Sequence, residues 1–135
     1  MKLSGIICML GWSGPFAFLA TLTACAAQRV YRNDVYLQNT CGVPLELTLA
    51  NDSNYDDQPR SFTLAPNERS SVANYKSFGE DVSGQISDRY SLKLKSPAAT
   101  KTIDAQTLRK ALASIEKTEE RGVRSWTVDN GAFCP

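Results

Sequence analysis

Histidine is missing from the 135-residue sequence. The side chain that most often acts as a general base near neutral pH is therefore absent. Cys-His and Ser-His-Asp nucleophilic centres are excluded with it. Carboxylate pairs such as Asp56 with Asp57, or Glu80 with Asp81, remain, but adjacent acids in polar segments are typical of solvated loops. We expect no catalytic residues and no enzymatic activity.

An excess of positive charge is also missing, since 15 Lys and Arg face 14 Asp and Glu. Proteins that bind nucleic acids normally carry a basic excess, so we expect no nucleic-acid partner. There is no glycine-rich phosphate loop. The spacing Asp52-x-Asn54-x-Asp56 resembles the start of a calcium loop, but Asp57 stands where glycine is needed and Thr63 where glutamate is needed. We therefore predict no metal and no cofactor.

Long apolar runs are confined to the first 22 residues. Met1 and Lys2 precede a mostly apolar stretch that Gly11 and Pro15 interrupt, a pattern typical of an export signal. A membrane helix needs about 20 consecutive apolar residues, and Pro15 in its middle would cost roughly 3 kcal/mol. A retained anchor is therefore a weaker interpretation than a removed leader.

The leader ends in Leu22-Thr23-Ala24-Cys25, which resembles the lipobox of bacterial lipoproteins. The resemblance covers residues 1–26. It implies cleavage after Ala24, attachment of fatty acyl chains to Cys25, and anchoring in a membrane. Ala26 in place of an aspartate implies the outer membrane, with the domain facing the periplasm. Ordinary soluble export is the alternative, because Ala24-Cys25-Ala26 also fits a small-x-small cleavage site.

Two cysteines, Cys41 and Cys134, remain beyond the leader and the lipobox. Exported domains form disulfides, so we predict that these two are joined; buried free thiols are the alternative. Two cysteines without histidine cannot complete a zinc site. A bond between them would close most of the domain into one loop, worth roughly 4–5 kcal/mol in the chain-entropy model.

The remaining chain predicts a tether over 25–34 and one β-rich domain over 35–135. Val43, Leu45, Leu47 and Leu49 alternate with polar residues, as in a half-buried strand. A second alternating segment runs from Arg89 to Lys95. Further strands are expected at 35–37, 62–64, 71–75, 101–103 and 126–128, and residues 76–87 are expected to form an exposed loop.

One late helix is predicted after Asp104, which is a good N-cap residue. Its apolar stripe comprises Leu108, Ala111, Leu112 and Ile115, and Gly122 is expected to follow its end. The fold class is therefore α+β, a small and mainly antiparallel sheet or sandwich with one amphipathic helix packed on a face.

Five residues are candidates for an interface. Tyr75 and Phe78 lie in a polar segment, as aromatic anchors of interfaces do, although both would also suit a role in covering the core. Arg89, Lys93 and Lys95 form a basic row that suits an anionic partner, although lysines on a strand also deter edge pairing.

The sequence favours an envelope lipoprotein that acts by contact with an unidentified envelope protein, as an accessory component of an assembly. The alternative is an inhibitor, immunity or exclusion lipoprotein that blocks a foreign enzyme, toxin or uptake system. A carrier of a small ligand or lipid is a third hypothesis, which requires an internal cavity.

Overall fold

The computed structural model describes residues 27–56, 58–129 and 131–135, and in them it contains eight strands and two helices. In chain order these are β1 Tyr31–Gln38, β2 Leu45–Ala50, β3 Arg60–Leu64, β4 Arg69–Ser77, α1 Val82–Gln85, β5 Ser91–Lys95, β6 Thr100–Asp104, α2 Ala105–Leu112, β7 Thr118–Glu120 and β8 Val123–Val128. The strands form two four-stranded sheets around one core. The predicted α+β class, with a mainly antiparallel sandwich and a late helix, is confirmed.

Sheet B has the order β3-β2-β5-β6, and every neighbouring pair is antiparallel. Leu47 lies opposite Leu94 and Leu49 opposite Leu92, and all four are buried. The polar residues between them face outward. This is the alternation that the sequence shows, because one face of the sheet packs on the core while the other meets water.

Sheet A has the order β4-β1-β8-β7. Its first strand β1 pairs antiparallel with β4 but parallel with β8, the last strand of the chain. The β1–β4 register shifts between Val35 and Tyr36, and Val72 and Ala73 on β4 are both buried at this point. An extra residue of this kind bends a strand and changes which side chains face inward.

Two buried tyrosines form hydrogen bonds between the sheets, one donating from sheet A and the other from the sheet B side. Tyr75 on β4 of sheet A donates its hydroxyl proton to the Asn51 carbonyl oxygen, 2.8 Å away, at the end of β2. Tyr90, just before β5 of sheet B, donates to the Val72 carbonyl oxygen at 3.2 Å. Burial raises the pKa of both hydroxyls, since it disfavours the charged form.

Helix α2 starts where the sequence predicts. The Asp104 carboxylate accepts a hydrogen bond from the Thr107 N–H at 2.8 Å. The prediction that Gly122 follows the helix end was wrong, because α2 ends at Leu112. Gly122 instead lies between β7 and β8 with a φ of +83°, a conformation that glycine adopts at little cost.

Two short elements differ from the predicted structure. The expected loop 76–87 contains the end of β4 and α1, whose N-cap is Asp81. Strand β7 reads Thr-Glu-Glu and is exposed throughout, so it shows no apolar alternation from which a strand could be predicted.

The predicted boundary between tether and domain was also wrong. Strand β1 starts at Tyr31, and Asn33 and Asp34 are buried although they were assigned to the tether. The leader, the cleavage site at Ala24 and the lipidation site Cys25 lie outside the described residues. In the part of the chain that the structure describes, no helix has the length and apolarity needed to cross a membrane.

A disulfide joins Cys41 to Cys134, which are 93 positions apart in the sequence, as predicted. Cys41 follows β1 and Cys134 follows β8, so the bond links the same ends of two parallel neighbours in sheet A. The bond therefore connects the segments that follow β1 and β8 covalently.

Candidate functional site

A groove of about 370 Å³ opens between helix α2 and the segment after β4. We call it the α2 groove. It is lined by Gly79, Asp81, Val82, Leu112, Ala113, Ile115, Lys117, Arg124 and Trp126. These residues come from three separate segments of the chain, so the groove exists only in the folded domain.

The floor of the α2 groove is formed by apolar side chains that are almost fully covered, and polar atoms make up the larger part of its accessible lining. Val82, Leu112 and Trp126 are buried members of the core cluster, and Ile115 packs against that cluster while half-exposed. Leu112 and Ile115 belong to the stripe that the helix prediction identified. Beyond Leu112 the chain turns, with the Ile115 N–H bonded to the Leu112 carbonyl oxygen at 3.2 Å, and this turn places Ile115 at the rim.

Arg109 fixes one wall of the groove. Its guanidinium donates to the Ser83 carbonyl oxygen at 3.1 Å and to the Ile86 carbonyl oxygen at 2.6 Å, and it pairs with Asp88 at 2.7 Å. These bonds tie α2 to α1. Since the donors of arginine have a rigid, planar arrangement, this contact holds the two helices at a fixed separation.

Arg124 fixes the other wall. Its side chain is only 12% exposed and pairs with Glu119 at 3.0 Å. It also lies 3.8 Å from the centre of the Tyr31 ring, a cation–π contact. Longer contacts of 3.4 Å reach the carbonyl oxygens of Gly79 and Glu80. The groove is therefore bordered by a positive group that is already held in place.

Of the two aromatic candidates, only Phe78 is on the surface, with 57% of its area exposed. The assignment of Tyr75 to an interface was wrong, because Tyr75 is fully buried and connects the two sheets. The sequence pattern was misleading here because the polar neighbours Asn74 and Lys76 suggested a surface loop, whereas Tyr75 faces inward from β4.

The three basic candidates do not join Phe78 in one surface. Lys93 and Lys95 face outward from β5 of sheet B, where Lys95 pairs with Glu46 at 3.0 Å. Arg89 lies in the turn before β5, and its carbonyl oxygen accepts from Asn51. Strand β5 is paired on both sides, so the interpretation of its lysines as protection of a sheet edge was wrong.

The residues of the failed calcium pattern have a structural role. Asp52 is buried and pairs with Arg60 at 2.6 Å. The Asp52 main chain also contacts Asn74 on β4, since its carbonyl oxygen accepts from the Asn74 N–H at 2.7 Å. Among the described residues no group of three acidic, cysteine or histidine side chains is placed to hold a metal ion.

The cleft beside the disulfide is too small for a ligand. The cleft beside the disulfide has about 10 Å³, lined by Leu37, Leu45, Val128 and Phe133 among others. A single water needs about 10–15 Å³, so this cleft would not hold a lipid or a metabolite. The α2 groove is the better candidate for binding, and its ligand must be accessible from outside.

The chain matches no protein-family model, and no curated protein or solved structure is significantly similar to it.

Proposed function

We propose that this protein is a lipid-anchored component of the bacterial cell envelope that works by contact with another envelope protein. The α2 groove is the contact site, and it receives a segment of the partner that presents both apolar and polar side chains. The anchor is the acylated Cys25, and the domain faces the periplasm from the outer membrane. Support for the anchor comes from the sequence Leu22-Thr23-Ala24-Cys25; support for the contact comes from the groove.

The observation that carries the contact is the composition of the groove. Val82, Leu112 and Trp126 give an apolar floor, while Asp81 and Lys117 are exposed at its border. Protein interfaces share this arrangement, an apolar centre with a polar rim. Large aromatic residues at such centres contribute most to binding.

Rigid walls add to this support. Arg109 and Arg124 hold the walls through hydrogen bonds to main-chain oxygens. A site that is already in its binding conformation loses less entropy when a partner binds. The partner therefore meets a preformed surface instead of having to order one.

Site-specific photo-crosslinking in intact cells tests the contact. A photoreactive amino acid at Ala113 or Lys117, both exposed at the groove, should give one discrete adduct with an envelope protein. The matched control places the same amino acid at Lys93, which is exposed on the outer face of sheet B. Ile115→Asp, a change in a half-exposed rim residue, should abolish the adduct while the domain stays folded.

Four outcomes are decisive. Equal crosslinking from Lys93 and from the groove, or an adduct that survives Ile115→Asp, would overturn the contact site. An adduct that forms only when a foreign toxin or enzyme enters the cell would overturn the accessory role in favour of an inhibitor. For the anchor, Cys25→Ser should abolish labelling by a fatty-acid probe and release the protein from membranes; persistent labelling would refute lipidation.

A further inference from the structure

Strand β1 starts very close to the predicted anchor. Only residues 26–30 separate Cys25 from Tyr31, and an extended chain spans at most about 3.6 Å per residue. The Cα atom of Tyr31 therefore lies within about 22 Å of the Cα atom of Cys25. The predicted tether 25–34 is longer than the real one, because residues 31–34 belong to sheet A.

The same end of sheet A carries two exposed apolar side chains. Val30 precedes β1 and is 52% exposed, and Phe78 follows β4 and is 57% exposed. Tyr31 pairs with Ser77 in the antiparallel β1–β4 ladder. Continued by one residue, this register brings Val30 next to Phe78.

Basic side chains accompany this pair on the outer face of the sheet. Arg32 lies opposite Lys76 on β4 and opposite Val123 on β8. Arg32 is 53% exposed although it pairs with Asp34, and Lys76 lies over the Tyr55 ring. Arg121, 90% exposed, lies in the turn before β8.

Acidic groups lie at this end too, and they decide what kind of contact is possible. Glu80 accepts from the Phe78 N–H, Glu120 is 3.7 Å from Arg121, and Asp34 is buried under Arg32. The net charge is therefore small. A contact at this end would depend on apolar insertion, with the arginines and Lys76 reaching lipid phosphates from its border.

We propose that this end of the sandwich rests on the phospholipid surface to which Cys25 is anchored. Its contact surface, the Val30–Phe78 face, consists of Val30, Phe78, Val123, Arg32, Lys76 and Arg121. Val30 and Phe78 enter the headgroup region and fix the orientation of the domain. The inference deepens the proposed function, because it depends on the lipid anchor named there.

The tether explains why so small a surface is sufficient. Two apolar side chains would not keep a free protein on a membrane. Attachment within about 22 Å makes the contact intramolecular and raises its effective concentration strongly. The contacts of this face therefore only have to favour one orientation of a domain that the lipid anchor already holds at the membrane surface.

Fluorescence quenching by brominated lipids tests this orientation. The acylated protein carrying Phe78→Trp is reconstituted in vesicles of phosphatidylethanolamine and phosphatidylglycerol brominated near the headgroup. The control is Val43→Trp, since Val43 is 38% exposed and follows β1 at its other end. Trp126, buried to 94%, is the internal reference for folding.

We expect quenching of Trp at position 78 to be severalfold stronger than at position 43. Adding Val30→Asp should reduce the quenching at position 78 without changing the Trp126 emission. Equal quenching at both positions, or none at position 78, would overturn the inference. Crosslinking of position 30 to a protein instead of lipid in intact cells would also overturn it.

A second preparation separates this inference from the anchor itself. If mass spectrometry shows no acylated Cys25, the chain can be produced without its leader, starting at Cys25. The Cys25 thiol can then be coupled to a maleimide lipid, because Cys41 and Cys134 are already joined. Strong quenching at position 78 in that preparation would support the Val30–Phe78 face even though natural lipidation had failed. Absence of quenching there would reject the face independently of the anchor.

Discussion

Sheet B and sheet A are built in different ways. Sheet B is entirely antiparallel, with leucines inside and polar residues outside. Sheet A contains a parallel pair, an extra residue in β4 and the disulfide. Within the described strands the buried polar residues, Asn33, Asp34 and Ser77, all belong to sheet A. Sheet B thus depends on apolar burial, and sheet A on directional contacts.

This difference bears on function. A buried polar group is costly unless it is hydrogen-bonded, so each one favours a single arrangement of its neighbours. The Asn33 amide donates to the Tyr75 carbonyl oxygen and to the Ser77 hydroxyl, both at 3.0 Å. Asp34 is held by Arg32 and by the Asn74 amide. The sheet with the specific contacts is the one that carries Arg124, Trp126 and Phe78.

The largest effect is expected from removing the disulfide of sheet A. The double change Cys41→Ser with Cys134→Ser should lower the free energy of unfolding by about 4–5 kcal/mol, because the unfolded chain gains the entropy of a long open loop. Urea unfolding with and without a reducing agent measures it. Hydrogen exchange should show a similar loss of protection in the most protected amides of both sheets, because these exchange through global unfolding. A loss confined to β1 and β8 would show that the bond acts on local opening of sheet A instead.

The next effect concerns the apolar interior of sheet B. Leu47→Ala should lower the free energy of unfolding by about 2–5 kcal/mol, since Leu47 is 1% exposed and its removal leaves a cavity. The adjacent change Thr48→Ala, on the outer face, should remain within about 0.5 kcal/mol. Comparable losses from the two variants in urea would show that sheet B does not depend on burial as described.

The same contrast explains how much the sequence predicts. Alternating leucines in β2 and β5 were sufficient to identify strands and their inward faces, and Asp104 was sufficient to start α2. The parallel pairing of β1 with β8 joins residues about 90 positions apart, and no local pattern indicates it. Tyr75 was misplaced because its neighbours Asn74 and Lys76 are polar, and nothing in that segment alone indicates that Tyr75 is buried.

The α2 groove was missed for the same reason. Its lining combines residues 79–82, 112–117 and 124–126, and Leu112 or Trp126 alone is indistinguishable in sequence from an ordinary core residue. Ile115 gave a weak signal, since it continues the helical stripe three residues beyond the last helical position. Apolar residues just past a helix end are therefore worth testing as candidates for a rim.

A third, smaller effect is expected at the junction of the two sheets. Tyr75→Phe should lower the free energy of unfolding by about 1–2 kcal/mol, because it leaves the partly buried Asn51 carbonyl oxygen without its donor. Tyr90→Phe should act in the same direction through Val72. Tyr55→Phe is the control, since Tyr55 is 52% exposed.

The same two tyrosines predict alkaline unfolding. Burial raises the folded pKa of Tyr75 and Tyr90 above the ordinary value of 10.0. The unfolded chain therefore loses these protons first, and stability is full below pH 10 and falls as the pH rises above it. Absorbance at alkaline pH should show both tyrosines ionising together with the loss of structure. Ionisation of either one in the folded domain at its ordinary pKa would contradict this.

The smallest effect is expected at the cap of α2, which starts directly after β6 of sheet B and forms a wall of the groove. The hydrogen bond from the Thr107 N–H lowers the pKa of Asp104 below 3.8. A lowered folded pKa adds stability above the unfolded value, and this stability is lost as the pH falls through the folded pKa. Asp104→Ala should therefore lower the thermal midpoint at neutral pH but scarcely at a pH well below 3.8.

Asp104→Asn keeps a cap without the titration, so its midpoint should exceed that of Asp104→Ala at both pH values. A penalty for Asp104→Ala that stays constant with pH would show that the carboxylate charge does not contribute, and that α2 is held by Arg109 and its packing alone.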